Sequence, residues 1–105
     1  MSSLYFNLSS SFLKALAHPT RLKIIDRLKH EDELCVCHIY EDLDLEQSNV
    51  SQHLKILRDQ GILTSRKDGL KVMYRVRHKE VFQIMDLVKA ALYNQLEEDQ
   101  KHFRP

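Results

Sequence analysis

Glycine and proline are scarce, two of each in 105 residues, so the chain is neither a low-complexity polymer nor a disordered linker, and its plentiful leucine, isoleucine and valine lean towards helix. Cysteine is just as sparse. Cys35 and Cys37 are too few and too close together to be the disulfide framework of a small secreted protein, which leaves thiol chemistry as the expectation. No stretch reaches the ~18 uninterrupted apolar residues of a membrane span, and no basic region runs into an apolar one at the N-terminus. A soluble, cytoplasmic protein is expected. Net charge is small as well: 16 Lys and Arg against 15 Asp and Glu leave +1, which supports neither a polybasic nor an acidic class. The length allows a single domain over residues 1–105, with one modest core and no cleft between two domains. There is no strand–helix alternation, no glycine-rich phosphate loop and no His and acid set to activate a cysteine, so no enzyme is expected.

The small total conceals a pattern. Residues 1–30 carry five basic and one acidic residue, 31–46 carry none and seven, 47–77 carry seven and two, and 78–105 carry four and five. The basic block at 47–77 could be a solvated face, but it coincides with a helix and a hairpin that can gather its charges on one surface.

Ser9 or Ser10 is positioned to cap a first helix, whose apolar residues Phe12, Leu13, Leu16 and Ala17 recur at helical spacing; the helix should stop at His18-Pro19. Pro19 suits the first turn of a second helix bearing Leu22, Ile25 and Leu28. Leu34 to Leu43 reads as a short third helix, with acidic residues at its start where the macrodipole favours them, followed by a tight connector at Asp44-Leu45-Glu46. From Gln47 to Gln60 the set Val50, Leu54 and Leu57 marks a fourth helix, with Gly61 in the place of a C-terminal cap. Ile62 to Lys67 and Lys71 to Arg77 then flank Asp68-Gly69 as a β-hairpin. Lys79 to Leu96 makes a last helix whose apolar band is wider than one core requires, which points to a partner chain. Residues 9–17 and 79–96 are the expected dimerisation helices.

A short helix, a tight turn, a second helix with a polar outer face and a basic hairpin follow the order of a winged helix-turn-helix, mainly α with a small β-hairpin. The second helix of the pair would enter the major groove of duplex DNA. With Val50, Leu54 and Leu57 turned inward, its outward residues are Gln47, Ser48, Asn49, Ser51, Gln52 and Lys55. Gln and Asn can pair bidentately with adenine, Ser can meet base edges or phosphates, and Lys55 and Arg58 can neutralise phosphates. Arg66, Lys67 and Lys71 supply cations near the hairpin tip. His53, on the inner side of the helix, reads as packed and hydrogen-bonded, His18 as a helix-junction residue, and His30 and His102 as solvated.

Cys35 and Cys37 stand two apart, about 200° round a regular helix, so their sulfurs would point to nearly opposite sides and share an ion only if the helix start unwinds. Near a helix N-terminus the chain is half free and exposed N–H groups lower a thiol pKa, which favours a thiolate chelate. Packing as small apolar residues is the alternative. A disulfide across this spacing would be strained. Soft thiolates select arsenite or antimonite, Cd(II), Pb(II) or Zn(II) over Mg and Ca.

The segments Ala15-Leu16-Ala17-His18-Pro19-Thr20-Arg21-Leu22, Glu33-Leu34-Cys35-Val36-Cys37, Gln47 to Arg58 and Gly61-Ile62-Leu63 resemble the ArsR/SmtB family of bacterial metal-responsive repressors over about residues 9–96. The resemblance implies a dimeric winged helix-turn-helix that represses an operator until a metal or metalloid binds at Cys35 and Cys37. Gln52 stands where such sequences often carry Arg, which bears on operator identity. Arsenic-sensing relatives often place a third cysteine where this chain has Tyr40, and cadmium- and lead-sensing ones add cysteines from an N-terminal extension, whereas residues 1–30 have none. A third ligand would have to be His38, Glu33, water or a partner residue. The family's last-helix zinc site would need further ligands where Ala91 and Asn94 follow His78 and Glu80, so it is incomplete. Trivalent arsenic tolerates two sulfurs with an oxygen completing its pyramid, making As(III) the leading effector, with Sb(III), Cd(II), Pb(II) and Zn(II) as further candidates. The competing expectation is a DNA-binding thiol switch that answers oxidant or persulfide.

Overall fold

The computed structural model describes residues 2–102. These residues form α1 (Ser3–Leu16), α2 (Pro19–Lys29), β1 (Leu34–Cys35), α3 (Val36–Asp42), α4 (Gln47–Asp59), β2 (Leu63–Asp68), β3 (Lys71–Val76) and α5 (Glu80–His102). Helix α1 begins well ahead of the expected Ser9 or Ser10, because the Ser2 side chain caps it by accepting from the Tyr5 N–H at 3.3 Å. Leu4 and Leu8 extend the helical spacing backwards from Phe12, so nothing breaks the helix at the serines. Helix α2 starts at Pro19 as expected, with the His18 ring capping the Thr20 N–H at 3.0 Å. Its buried side is Ile24, Ile25 and Leu28, whereas Leu22 is 38% exposed and belongs to an outer surface. Helix α5 runs past the expected end at Leu96, and the expectation for His102 falls on a side chain outside those described.

The third helix differs most from its sequence reading. Leu34 and Cys35 are a strand, pairing antiparallel with Tyr74 and Met73, and the helix starts only at Val36. Backbone pairing with β3 holds these two residues extended, so Glu31, Asp32 and Glu33 precede a strand rather than charge a helix start. The expected hairpin is therefore a three-stranded antiparallel sheet in the order β1-β3-β2. Asp68 pairs with Lys71, which moves the two-residue loop to Gly69-Leu70. Only Gly69 of that loop takes a positive φ, 62°, the pattern of a type II′ turn rather than of an Asp-Gly type I′ turn.

Two chain reversals fix the central helix. After α3, Asp44 adopts φ 51° while its N–H and that of Leu45 return to the carbonyls of Glu41 and Tyr40. After α4, Gly61 adopts φ 74° while its N–H and that of Ile62 return to Arg58 and Leu57, at 2.9 Å each. Both are Schellman closures, in which a left-handed residue satisfies the last helical carbonyls. Between them Val50, Leu54 and Leu57 are fully buried against Ile24, Ile25, Ile39, Ile62 and Leu63. Each such side chain stabilises the fold by roughly 1.5–3 kcal/mol on transfer from water.

Candidate nucleic-acid interface and cysteine site

Burying one stripe of α4 sorts its other residues outward. Gln47, Ser48, Asn49, Ser51, Gln52, Lys55 and Arg58 are all exposed, and the structure gathers them on the side of α4 away from the core. No side chain caps the helix at Glu46, so its first amides stay open to an acceptor from outside.

The inner side has an anchor that sequence reasoning saw only in part. His53 is buried, as expected, and its Nδ1 accepts from Arg21 Nε at 3.1 Å, while Arg21 Nη1 donates to the Ala15 carbonyl at 3.2 Å. One guanidinium thereby ties α1, α2 and α4 together. The His18 ring lies 4.4 Å from that of His53. Burial pushes the His53 imidazole below its ordinary pKa, and His18 and then Arg21 push it further down. It is held neutral as an acceptor. A buried histidine on an inner helix face calls for a polar partner, but nothing local in the sequence pointed to Arg21 as that partner.

In the wing, Lys67 and Lys71 are exposed beside the tip, where Leu70 is fully solvated. Arg66 is not a free cation. Its Nε donates to Glu33 Oε2 at 2.8 Å and its Nη2 donates to Glu33 Oε1, a two-pronged ion pair between β2 and the residue before β1. The Arg66 hydrogen bonds hold the Glu33 carboxyl below the usual carboxylate range, with a smaller contribution from Arg75. Arg66, one of the expected wing cations, is thus engaged with Glu33, one of the expected third-ligand candidates. The third strand was the missing information, because it brings Glu33 to the wing.

The cysteines converge instead of diverging. Cys35 is the extended N-cap residue of α3, φ −63° and ψ 141°, so the two residues do not share one regular helix and their side chains are not turned apart by it. Its Sγ accepts from the Cys37 N–H at 3.2 Å, the two Cα atoms are 5.2 Å apart and the sulfurs are joined as a disulfide. The Cα separation lies within the ordinary range for bridged cysteines, because Cys35 is extended and stands outside the regular helix to which the 200° reading applies. Cys35 is buried and Cys37 half-buried. Among the described residues no three His, Cys, Asp or Glu side chains cluster as a metal site. Joined as a disulfide the sulfurs are not ion ligands; reduced to thiolates, this pair, with no third donor clustered beside it among the described residues, would suit an ion that accepts two protein sulfurs and completes its shell from solvent better than a closed tetrahedral one.

An apolar groove runs between α1, α2 and α5, lined by Leu13, Leu16, Leu22, Ile84, Met85, Val88, Leu92 and Leu96. No described helix is long and apolar enough to cross a membrane.

Comparison with known proteins matches residues 18–65 to the family model of bacterial regulatory proteins of the arsR family. The cadmium resistance transcriptional regulatory protein CadC of Listeria innocua is 41% identical over 78 residues, 74% of this chain and 66% of that protein, so the chain spans just under two thirds of its length. The arsenical resistance operon repressor of Escherichia coli is 44% identical over 71 residues, 68% of this chain and 61% of that protein. The crystal structure of Mycobacterium tuberculosis Rv0081 superposes with a TM-score of 0.82 at 30% identity, covering 94% of this chain and 98% of that one. A homodimeric winged helix-turn-helix DNA-binding domain from Mycobacterium bovis, a possible ArsR-family regulator, gives 0.81 at 26% identity over 93% of each chain. A helical core with an outward-facing α4, a sheet-bound wing and these relatives agree: the chain is a winged helix-turn-helix member of the arsR family of bacterial regulatory proteins, a family of transcriptional regulators and not of enzymes.

Proposed function

We propose that the protein is a cytoplasmic, homodimeric repressor that binds operator DNA with Cys35 and Cys37 reduced and is released when trivalent arsenic attaches to the two thiols, which give up their protons as two As–S bonds replace two As–O bonds. The observation that carries the effector reading is the convergence of the two sulfurs at the junction of β1 and α3, where α3 packs against α4. Gln47, Ser48, Asn49, Ser51 and Gln52 face base edges in this reading, and Lys55, Arg58, Lys67 and Lys71 meet phosphates. Arg66 reaches the backbone only when it leaves Glu33. A pyramidal As(III) or Sb(III) centre is satisfied by two thiolates and a solvent oxygen, whereas Cd(II), Pb(II) and Zn(II) require donors beyond this pair. The cadmium and arsenical regulators among the relatives support a thiophilic ion as effector. Arsenite is expected to release the protein from its operator at lower concentration than zinc does, and Cys35→Ser and Cys37→Ser each to abolish that release while DNA binding persists, as read by fluorescence anisotropy. Single mutants that still respond like the parent would place the sensor elsewhere.

The joined sulfurs favour a second reading, a thiol switch in which the two thiols give two electrons and two protons to an oxidant and form the disulfide. Release by peroxide or persulfide, with indifference to every ion, selects it over the first.

A further inference from the structure

Cys35, Met73 and Arg66 lie in one row across the sheet, since Cys35 is the ladder partner of Met73 and Met73 that of Arg66. Glu33, the residue just before β1, reaches past the middle strand to grip Arg66 at both prongs. An acidic residue two positions from one cysteine thus holds the wing strand farthest from it. We propose that Glu33 is a positioning residue that transmits the state of the Cys35–Cys37 pair to the wing through Arg66. The proposal rests on the reading of that pair as the sensor and of the wing as a DNA contact.

Stiffness is what couples the two. A shift of the backbone at Cys35 moves the β1–β3 ladder and the Glu33 carboxylate together, and the two-pronged ion pair draws Arg66 and β2 after it. Without the carboxylate, β1 is tied to the sheet by two ladder residues alone, and a shift there reaches β2 only indirectly, through β3.

The test compares the parent, Glu33→Gln and the charge swap Glu33→Arg with Arg66→Glu, each as the full chain. Operator affinity is measured with the cysteines reduced and after arsenite, or after the thiol oxidant diamide, and arsenite uptake is followed by thiolate absorbance. The parent is expected to lose affinity by about five- to 150-fold, the usual span of coupled sites. In Glu33→Gln that response collapses towards none although arsenite uptake is unchanged, and the swap regains it. A Glu33→Gln protein that responds like the parent overturns the proposal. So does one whose arsenite uptake weakens in step with its response, because Glu33 would then be a ligand. Should the parent's DNA affinity ignore both reagents, the sensor reading has failed, and hydrogen exchange decides the coupling alone: diamide is expected to alter exchange of the wing amides, residues 63–76, in the parent but not in Glu33→Gln. Equal changes in both proteins, or none in either, overturn the proposal.

Discussion

At the scale of single residues, His53 and Arg21 show how a polar pair is built beneath a DNA-reading face. The neutral imidazole accepts from Arg21, and protonation would replace that acceptor with a donor facing a cation. Because burial depresses the folded-state pKa below the unfolded value, the unfolded chain binds the extra proton first as pH falls. The stabilisation is complete above the unfolded pKa, near neutrality, and is lost as pH drops through the ordinary histidine range towards the depressed value. Thermal melts between pH 7.5 and 5 are expected to show a falling Tm in the parent and a shallower fall in His53→Gln, which keeps an acceptor without a titrating ring. Equal slopes would place the pH dependence elsewhere. The burial of His53 was legible in its position on the inner side of the helix. Its partner was not, because Arg21 comes from another helix.

Among the elements, the wing separates charge that reaches outward from charge that is internally cancelled. Lys67 and Lys71 are solvated beside the tip, whereas Arg66 is paired with Glu33. Replacing both lysines by alanine is expected to weaken binding to all duplex sequences alike and to reduce the slope of log K against log salt by roughly 0.9 for each phosphate no longer neutralised. Titrations between 50 and 200 mM salt read this directly, and an unchanged slope would remove both lysines from the interface. Helices α2 and α4 and the two long strands were legible because periodicity and the glycines at 61 and 69 are local signals. β1 was not. Two residues are too few to show alternation, and Leu34-Cys35 reads equally well as a helix start until Tyr74 and Met73 pair with it. The same omission concealed the engagement of Arg66 and the convergence of the cysteines.

For the molecule as a whole, the groove between α1, α2 and α5 is the surface a second copy would cover, and Leu92 in its wall is 54% exposed in the single chain. Leu92→Glu is expected to leave the helical signal of the monomer intact and to weaken association by at least about 3 kcal/mol, roughly a hundredfold, since the carboxylate would be buried without a partner. Sedimentation equilibrium gives the result, and a dimer of unchanged tightness would move the interface off this face. The apolar band of the last helix lies open along this groove at Val88, Leu92 and Leu96, and the first two turns of α1 carry further exposed apolar residues in Leu4, Phe6 and Leu8. The sheet order also sets a sequence of events in folding. The β2–β3 hairpin closes over a two-residue turn, and such units form in about 1–10 μs, whereas β1 must wait until the intervening chain has collapsed around α4. Weakening the β1 ladder is therefore expected to hasten unfolding and to leave the rate of folding nearly untouched, with the cysteine segment the last part of the sheet to join.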